Sequence, residues 1–337
     1  MNPNRRLLPI IALSAVSALV LAGCAGASTP ESSGEGKVQV VASTDVYGQI
    51  AEEIGGDAID VTSIITSASQ DPHSFEATAQ DQLAVSRADL IIENGGGYDS
   101  FMESLVESSD SSAHVITAAE YSHDWPDNEG HSDEGDDHDH AEESAHAEDD
   151  DSANEHAGHD HIEGFNEHVW YDPHTIEHVA EAIAGELSEL APDDSATFEA
   201  NAAEFVGQIA ALESSLAEIE ASDGGAGVFV TEPVPVYLTT AAGLDNLTPE
   251  AFSEAVEEGQ DVPPATLLES LDLIESGSVR VLIANSQTGG AETTQVIDAA
   301  EAKGIPVLEF SETLPEGQTY ISWMQQNIEA LSGALAG

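Results

Sequence analysis

The sequence predicts an α/β protein of two doubly wound lobes joined by a long helix. Three observations carry this expectation. Short apolar runs alternate with amphipathic stretches from residue 38 to about 117, and again from 227 to 335. Between these halves runs a helical pattern, His174 to Ala221, broken once at Ala191-Pro192-Asp193. Glycines and prolines fall where strands and helices should end. Strand and helix in alternation imply a parallel sheet with helices on both faces.

The elements follow in order. Val38 to Ser43 is a strand ending in a polar turn, and Asp45 to Ile54 has helical spacing closed by Gly55-Gly56. Ile59 to Ile65 is a second strand, Thr78 to Ser86 a helix, and Ala88 to Glu93 a third strand before Gly95-Gly96-Gly97. His114-Val115-Ile116 gives a fourth strand. Past the helical region come a strand at Gly227 to Val230 and a helix at Ala265 to Glu275. A strand at Val279 to Ala284, a helix at Thr293 to Ala302, a strand at Ile305 to Glu309 and a helix at Tyr320 to Leu335 complete the chain. The expected division is an N-terminal lobe at 38–190, a connecting helix at 191–223 and a C-terminal lobe at 224–337. Ligands of open α/β sheets bind beyond the carboxyl ends of the strands, so two such lobes face each other across a cleft.

Residues 1–23 read as a secretory signal. Arg5 and Arg6 precede an apolar run from Leu7 to Ala22 that is too short for a comfortable membrane span. The run ends in Leu21-Ala22-Gly23-Cys24, which resembles a bacterial lipobox, with Cys24 as the lipidated first residue of the mature chain. Cys24 is the only cysteine, so an internal disulfide and a cysteine-based zinc or redox site are excluded. Residues 24–37 then form a flexible tether.

Without the signal, four basic residues (Lys37, Arg87, Arg280 and Lys303) face 65 acidic ones, a formal charge of −61. Nucleic acid is excluded as a partner, because phosphate neutralisation needs Lys and Arg. Anionic lipid would repel this surface too, so membrane attachment falls to Cys24. Such acidity raises the local concentration of cations.

The acidity peaks between Ser122 and His161, within a loop expected to be disordered over 122–165. Eight of the thirteen histidines lie there: His123, His131, His138, His140, His146, His156, His159 and His161. Sixteen Asp or Glu accompany them, and no Lys or Arg. Too few apolar side chains are present to offset the entropy of ordering the segment. Neutral imidazoles among carboxylates are weak sites for a divalent cation, and His-rich tracts read as metal-binding. An acidic solvated linker is the plainer reading, but such a linker has no reason to concentrate histidine.

Four further residues sit at strand ends, two in each half. His73 lies in Asp71-Pro72-His73-Ser74-Phe75-Glu76, and His168 in Glu167-His168-Val169-Trp170-Tyr171-Asp172-Pro173. Glu232 follows Val228-Phe229-Val230-Thr231, and Glu312 follows the strand ending at Phe310. Singly, each has an ordinary explanation: a surface histidine, or a carboxylate solvated near a helix start. His174 and His178 share one helix face at a spacing of four, as a metal pair or as exposed helix residues. His114 reads as structural.

These motifs together resemble a family. Val41-Ala42-Ser43-Thr44-Asp45-Val46-Tyr47, the His73 and His168 motifs, Ala88 to Gly95, Thr231-Glu232-Pro233 and Glu312-Thr313-Leu314-Pro315 are similar to segments of the zinc- and manganese-specific solute-binding lipoproteins of bacterial ABC transporters. The resemblance covers nearly all of residues 38–337. It implies two α/β lobes, a rigid connecting helix and a metal buried between the lobes. It places ligands on His73, His168, Glu232 and Glu312; the last departs from the Asp usual there. It also implies a monomer, lipid-anchored to the outer face of the cytoplasmic membrane, that delivers its ion to a permease and its ATPase.

Two imidazoles and two carboxylates suit Zn2+ at four coordinates and also Mn2+, which prefers more oxygen. The inner set leans toward manganese and the His-rich loop toward zinc; zinc is the first expectation. The loop would collect zinc at low affinity or sense its abundance. The rival from another class is a secreted zinc hydrolase, but no His-Glu-x-x-His is present and no nucleophile or base suggests itself. A surface adhesin is compatible as an added role.

Overall fold

A computed structural model describes residues 36–128, 162 and 164–337. Two four-stranded parallel sheets form the framework. The first contains β1 (Val38–Thr44), β2 (Ile59–Ile65), β3 (Leu90–Glu93) and β4 (His114–Thr117) in the order β2-β1-β3-β4. The second contains β5 (Gly227–Val230), β6 (Asp245–Asn246), β7 (Val279–Asn285) and β8 (Val307–Phe310) in the order β6-β5-β7-β8. Both orders reverse direction beside their first strand, so each lobe is doubly wound. Register follows the buried faces, as Val40 pairs with Leu90 and Val230 with Ile283.

Local sequence explains the helix ends. In the first lobe, α1 (Asp45–Gly55) buries Val46, Ile50 and Ile54 at helical spacing and stops at Gly56, whose φ of 53° suits glycine. A capping box of Thr78 and Asp81 starts α2 (Ala79–Val85). Helix α3 (Ser100–Ser109) follows the triple glycine and buries Phe101, Met102 and Leu105. Its serines and glutamates hide it from a periodicity reading, and it had no place among the expected elements. Asp172 caps α4 (Pro173–Leu190), which has proline in its first turn.

The connecting helix α5 (Ser195–Asp223) begins four residues later than the expected 191, because residues 191–194 form the turn out of α4. Its buried residues Phe198, Ala202, Phe205, Ile209, Leu212, Leu216 and Ile219 are spaced by threes and fours, one continuous stripe. One apolar core runs from Val40 and Ile92 of the first sheet, along this stripe, to Val230 and Ile283 of the second. So α5 is a core element shared by both lobes rather than an external strut.

The second lobe holds three elements that the sequence reading passed over: α6 (Val236–Ala241), the short strand β6 and α7 (Glu250–Glu257). Each is too short for a periodic signal. Phe252 of α7 packs edge-on against Phe229 of β5, with ring centroids 5.2 Å apart. Helices α8 (Pro264–Ser276) and α9 (Ala291–Lys303) follow the expected positions. The last helix, α10 (Tyr320–Ala336), packs against α1 and α5 as well as β7 and β8, so the end of the expected C-terminal lobe spans both halves.

The His-rich segment is not loop from its first residue. Residues 122–128 continue the fold: Ser122 is buried, and Trp125 meets Phe165 edge-on at 5.3 Å. Trp125 and Phe165, one near each end of the segment, pack against each other there. Among the described residues, no helix is long and apolar enough to cross a membrane.

Candidate metal centre

The strands aim their carboxyl ends at one cleft. His73 sits in the turn after β2, where the Asp71 side chain accepts from the His73 N–H at 3.0 Å and from the Ser74 hydroxyl at 2.7 Å. Pro72 fixes the backbone ahead of it. The His73 ring stands edge-on to Tyr98, at 4.9 Å between centroids.

His168 is 1% exposed. Its Nδ1 donates to Asn166 Oδ1 at 2.8 Å. Asn166 Nδ2 donates to Pro233 O at 3.2 Å, which fixes the orientation of the amide and hence the acceptor offered to His168. Nε2 is thereby the nitrogen left for a metal. The Asn166 carbonyl accepts from the Tyr237 hydroxyl at 2.9 Å.

From the other lobe, Glu312 follows β8. Gln287 Oε1 accepts from the N–H groups of Glu312 and Thr313 at 2.8 and 2.9 Å and so positions the turn. Asn285, the last residue of β7, donates to Glu312 Oε1 and to Glu232 Oε2, both at 2.6 Å. Thr288 donates to Glu232 Oε1. Tyr98 donates from the first lobe to Glu312 Oε2 at 3.2 Å.

Ligand atoms of His73, His168 and Glu312 lie within 4.8 Å of one another. Glu312, where the family pattern has Asp, thus joins the two histidines directly. Glu232 stands beside this trio, tied to it through Asn285. A second trio shares His73 and adds Glu167 and Glu257 within the same 4.8 Å limit. Sequence reasoning missed Glu257 because helix α7, which ends on it, is only eight residues long. Glu167 stood inside the His168 motif and could have been found there.

Electrostatics favours a cation. Burial, opposed by the Asn285 hydrogen bond and aided by the charge of Glu232, pushes the Glu312 carboxyl up to about 7. Burial, then the charges of Glu167, Glu232 and Glu312, push Glu257 up to about 9. Glu232 is raised as well, chiefly by burial. Among the described residues, no Lys or Arg sits at this end of the sheets. Lys37 precedes β1, Arg87 precedes β3, Arg280 lies at the start of β7 and Lys303 precedes β8, all at the amino ends. Buried carboxylates without a counter-charge are costly, and a divalent ion between them relieves the repulsion. Imidazole and carboxylate donors together fit a borderline cation such as zinc or manganese.

The remaining candidates lie elsewhere. His174 groups with Glu177 of α4 and Glu213 of α5, and its ring is 4.8 Å from that of His178. His114 groups with Glu186 and Glu189 and pairs with Glu186. His123 lies at the seam between lobes, 3.6 Å from Asp172 and 6.2 Å from the Tyr237 ring. His131, His138, His140, His146, His156, His159, His161 and Cys24 fall outside the described residues.

The chain is similar to several known proteins. The zinc-binding lipoprotein AdcA of Streptococcus pneumoniae is 25% identical over 325 residues, covering 95% of this chain but 59% of AdcA. The chain therefore spans little more than half the length of that relative. The manganese ABC transporter substrate-binding lipoprotein ScaA of Streptococcus gordonii is 24% identical over 329 residues, 94% of each chain. The structure of the periplasmic zinc-binding protein TroA of Treponema pallidum superposes with a TM-score of 0.66 at 19% identity, over 89% of this chain and 99% of TroA, which shows the shared two-lobe fold. The profile of the family described as zinc-uptake complex component A, periplasmic, matches residues 40–334, and the chain belongs to that family.

Proposed function

We propose that this protein is an extracytoplasmic receptor that captures a divalent cation, zinc first and manganese as the alternative, and delivers it to an ABC importer. The observation that carries the reading is the trio His73, His168 and Glu312, contributed by both lobes to one buried point. The ion is cargo. Two neutral imidazoles give it nitrogen donors, and Glu312 with its neighbour Glu232 supplies charge. Asn285 and Tyr98 hold Glu312 from opposite lobes, so the carboxylate is oriented before the ion arrives. A permease and its ATPase would take the ion, and lipid on Cys24 would keep the receptor, as a monomer, at the outer face of the cytoplasmic membrane. The names of AdcA and ScaA as metal-binding lipoproteins support this role, and neither supports the hydrolase alternative.

The test is metal content. Protein purified without added metal should carry one tightly held equivalent by mass spectrometry of the elements, and that metal's identity decides between zinc and manganese. His73→Ala or His168→Ala should remove it. A variant that keeps one equivalent at unchanged affinity against a chelator would place the site elsewhere.

A further inference from the structure

We infer that His174, Glu177 and Glu213 form a second site for a divalent transition-metal ion, outside the cleft and between helices α4 and α5. The sequence offers His174 and His178 as a pair, but the structure groups His174 differently. One ligand atom from each of His174, Glu177 and Glu213 lies within 4.8 Å of the others. His178 stands outside this trio, its ring edge-on to that of His174. His174 and Glu177 are three residues apart on α4 and so share a face. Glu213 comes from α5, which packs along α4. None of the three belongs to the cleft set of His73, His168 and Glu312.

Charge and donor chemistry point to a cation. Helices α4 and α5 contain no Lys or Arg, so neither helix neutralises Glu177 and Glu213. Burial, then the charge of Glu177, raise the Glu213 carboxyl; His174 opposes this and Asp172 adds to it. A divalent ion among these groups relieves the repulsion. The helix start that carries His174 is held in place, because the Asp172 side chain accepts from the His174 N–H at 3.2 Å and from the Thr175 hydroxyl at 2.6 Å. All three residues are partly buried, packed enough to hold position and open enough for an ion to enter. One imidazole with two carboxylates favours zinc or manganese over magnesium and calcium, which take oxygen donors. Three protein donors leave a fourth position to water. An ion there ties α4 to α5, and α5 carries the apolar stripe of the core that both lobes share, so binding stabilises the whole fold.

The experiment follows the melting temperature of the full chain carrying His73→Ala, which removes the cleft ion. The loop histidines are the same in every arm. Zn2+ should raise the transition by about 2 °C once the free ion is roughly tenfold above its dissociation constant. Mg2+ at the same concentration should raise it less, because it gains nothing from an imidazole. Adding His174→Gln or Glu213→Gln should abolish the Zn2+ shift, whereas His178→Gln should keep it. The metal-free transition of Glu213→Gln should equal or exceed that of its parent, which shows that the variant folds. An undiminished Zn2+ shift in both His174→Gln and Glu213→Gln overturns the inference. So does an equal shift with Mg2+, which assigns the effect to screening of the acidic surface. Neither result touches the receptor reading, which falls only if His73→Ala keeps its tight equivalent against a chelator.

Discussion

Asn166 shows how one side chain serves two lobes. Its Oδ1 accepts from His168, its Nδ2 reaches Pro233 after β5, and its carbonyl takes the Tyr237 hydroxyl of α6. The tautomer of His168 therefore depends on the second lobe being in place. Opening the cleft would break the Pro233 and Tyr237 contacts and loosen the imidazole, which offers a physical route for release. Asn166→Ala should weaken metal binding by about 10–100-fold through lost orientation of His168. The fold should persist, since no core residue changes. A chelator titration alongside a melting curve checks this, and unchanged affinity would show that the hydrogen bond does not orient the ligand.

Among the elements, the His-rich segment and α5 have opposite relations to the core. Residues 122–128 and 164–165 are part of the packed fold, through Ser122 and the Trp125–Phe165 contact. Replacing 129–161 with a short Gly/Ser linker should leave the thermal transition and the tight site intact and remove only weak metal equivalents. Extending the replacement to 122–165 should lower the transition, because it removes burial worth about 1.5–3 kcal/mol for each large apolar side chain. Equal stability of the two variants would show that the seam contributes nothing. Helix α5, by contrast, carries its apolar stripe through the core that both sheets share. This predicts lobes that unfold together rather than as separate units.

For the whole molecule the main tension is charge. Basic residues stand at the amino ends of the strands, and buried carboxyls cluster at the carboxyl ends. Glu93, at the end of β3, shows the cost away from the proposed ligands. Burial, then the charge of Asp99, raise it to about 7, against the Thr117 hydrogen bond that lowers it. A carboxyl whose folded value lies above its unfolded value of about 4.3 stabilises the fold below that pH. The contribution is lost as pH rises through about 7. Glu93→Gln should therefore change metal-free stability little at pH 5 and raise it at pH 8, by on the order of 1–3 kcal/mol. Denaturant unfolding at the two pH values measures it; an equal effect at both would mean that Glu93 does not titrate in this range.

The sequence alone determined the alternation of strand and helix, the long helical span before residue 223, the His-rich segment and the motifs that carry the candidate ligands; His168, expected at a strand end, instead opens the short helical turn Val169–Tyr171. These are local signals: hydrophobic period, glycine and proline punctuation, composition and short motifs. His73 and His168 were legible because each sits in a motif of several residues whose turn chemistry can be read directly. Glu312 was found by its place after a strand and by the short motif Glu312-Thr313-Leu314-Pro315, and its proximity to the two histidines emerges from two chain-distant sheets meeting at one cleft. Glu257 could not be read at all. Its helix spans only eight residues, and its surroundings come from Phe252 seated on Phe229 and from a histidine 89 positions away in the chain. Tertiary structure also decided that α5 is shared core, because a stripe of apolar residues states that a helix is buried but not against what. Local pattern fixes which face each element buries; only packing brings together donors that no window of sequence contains.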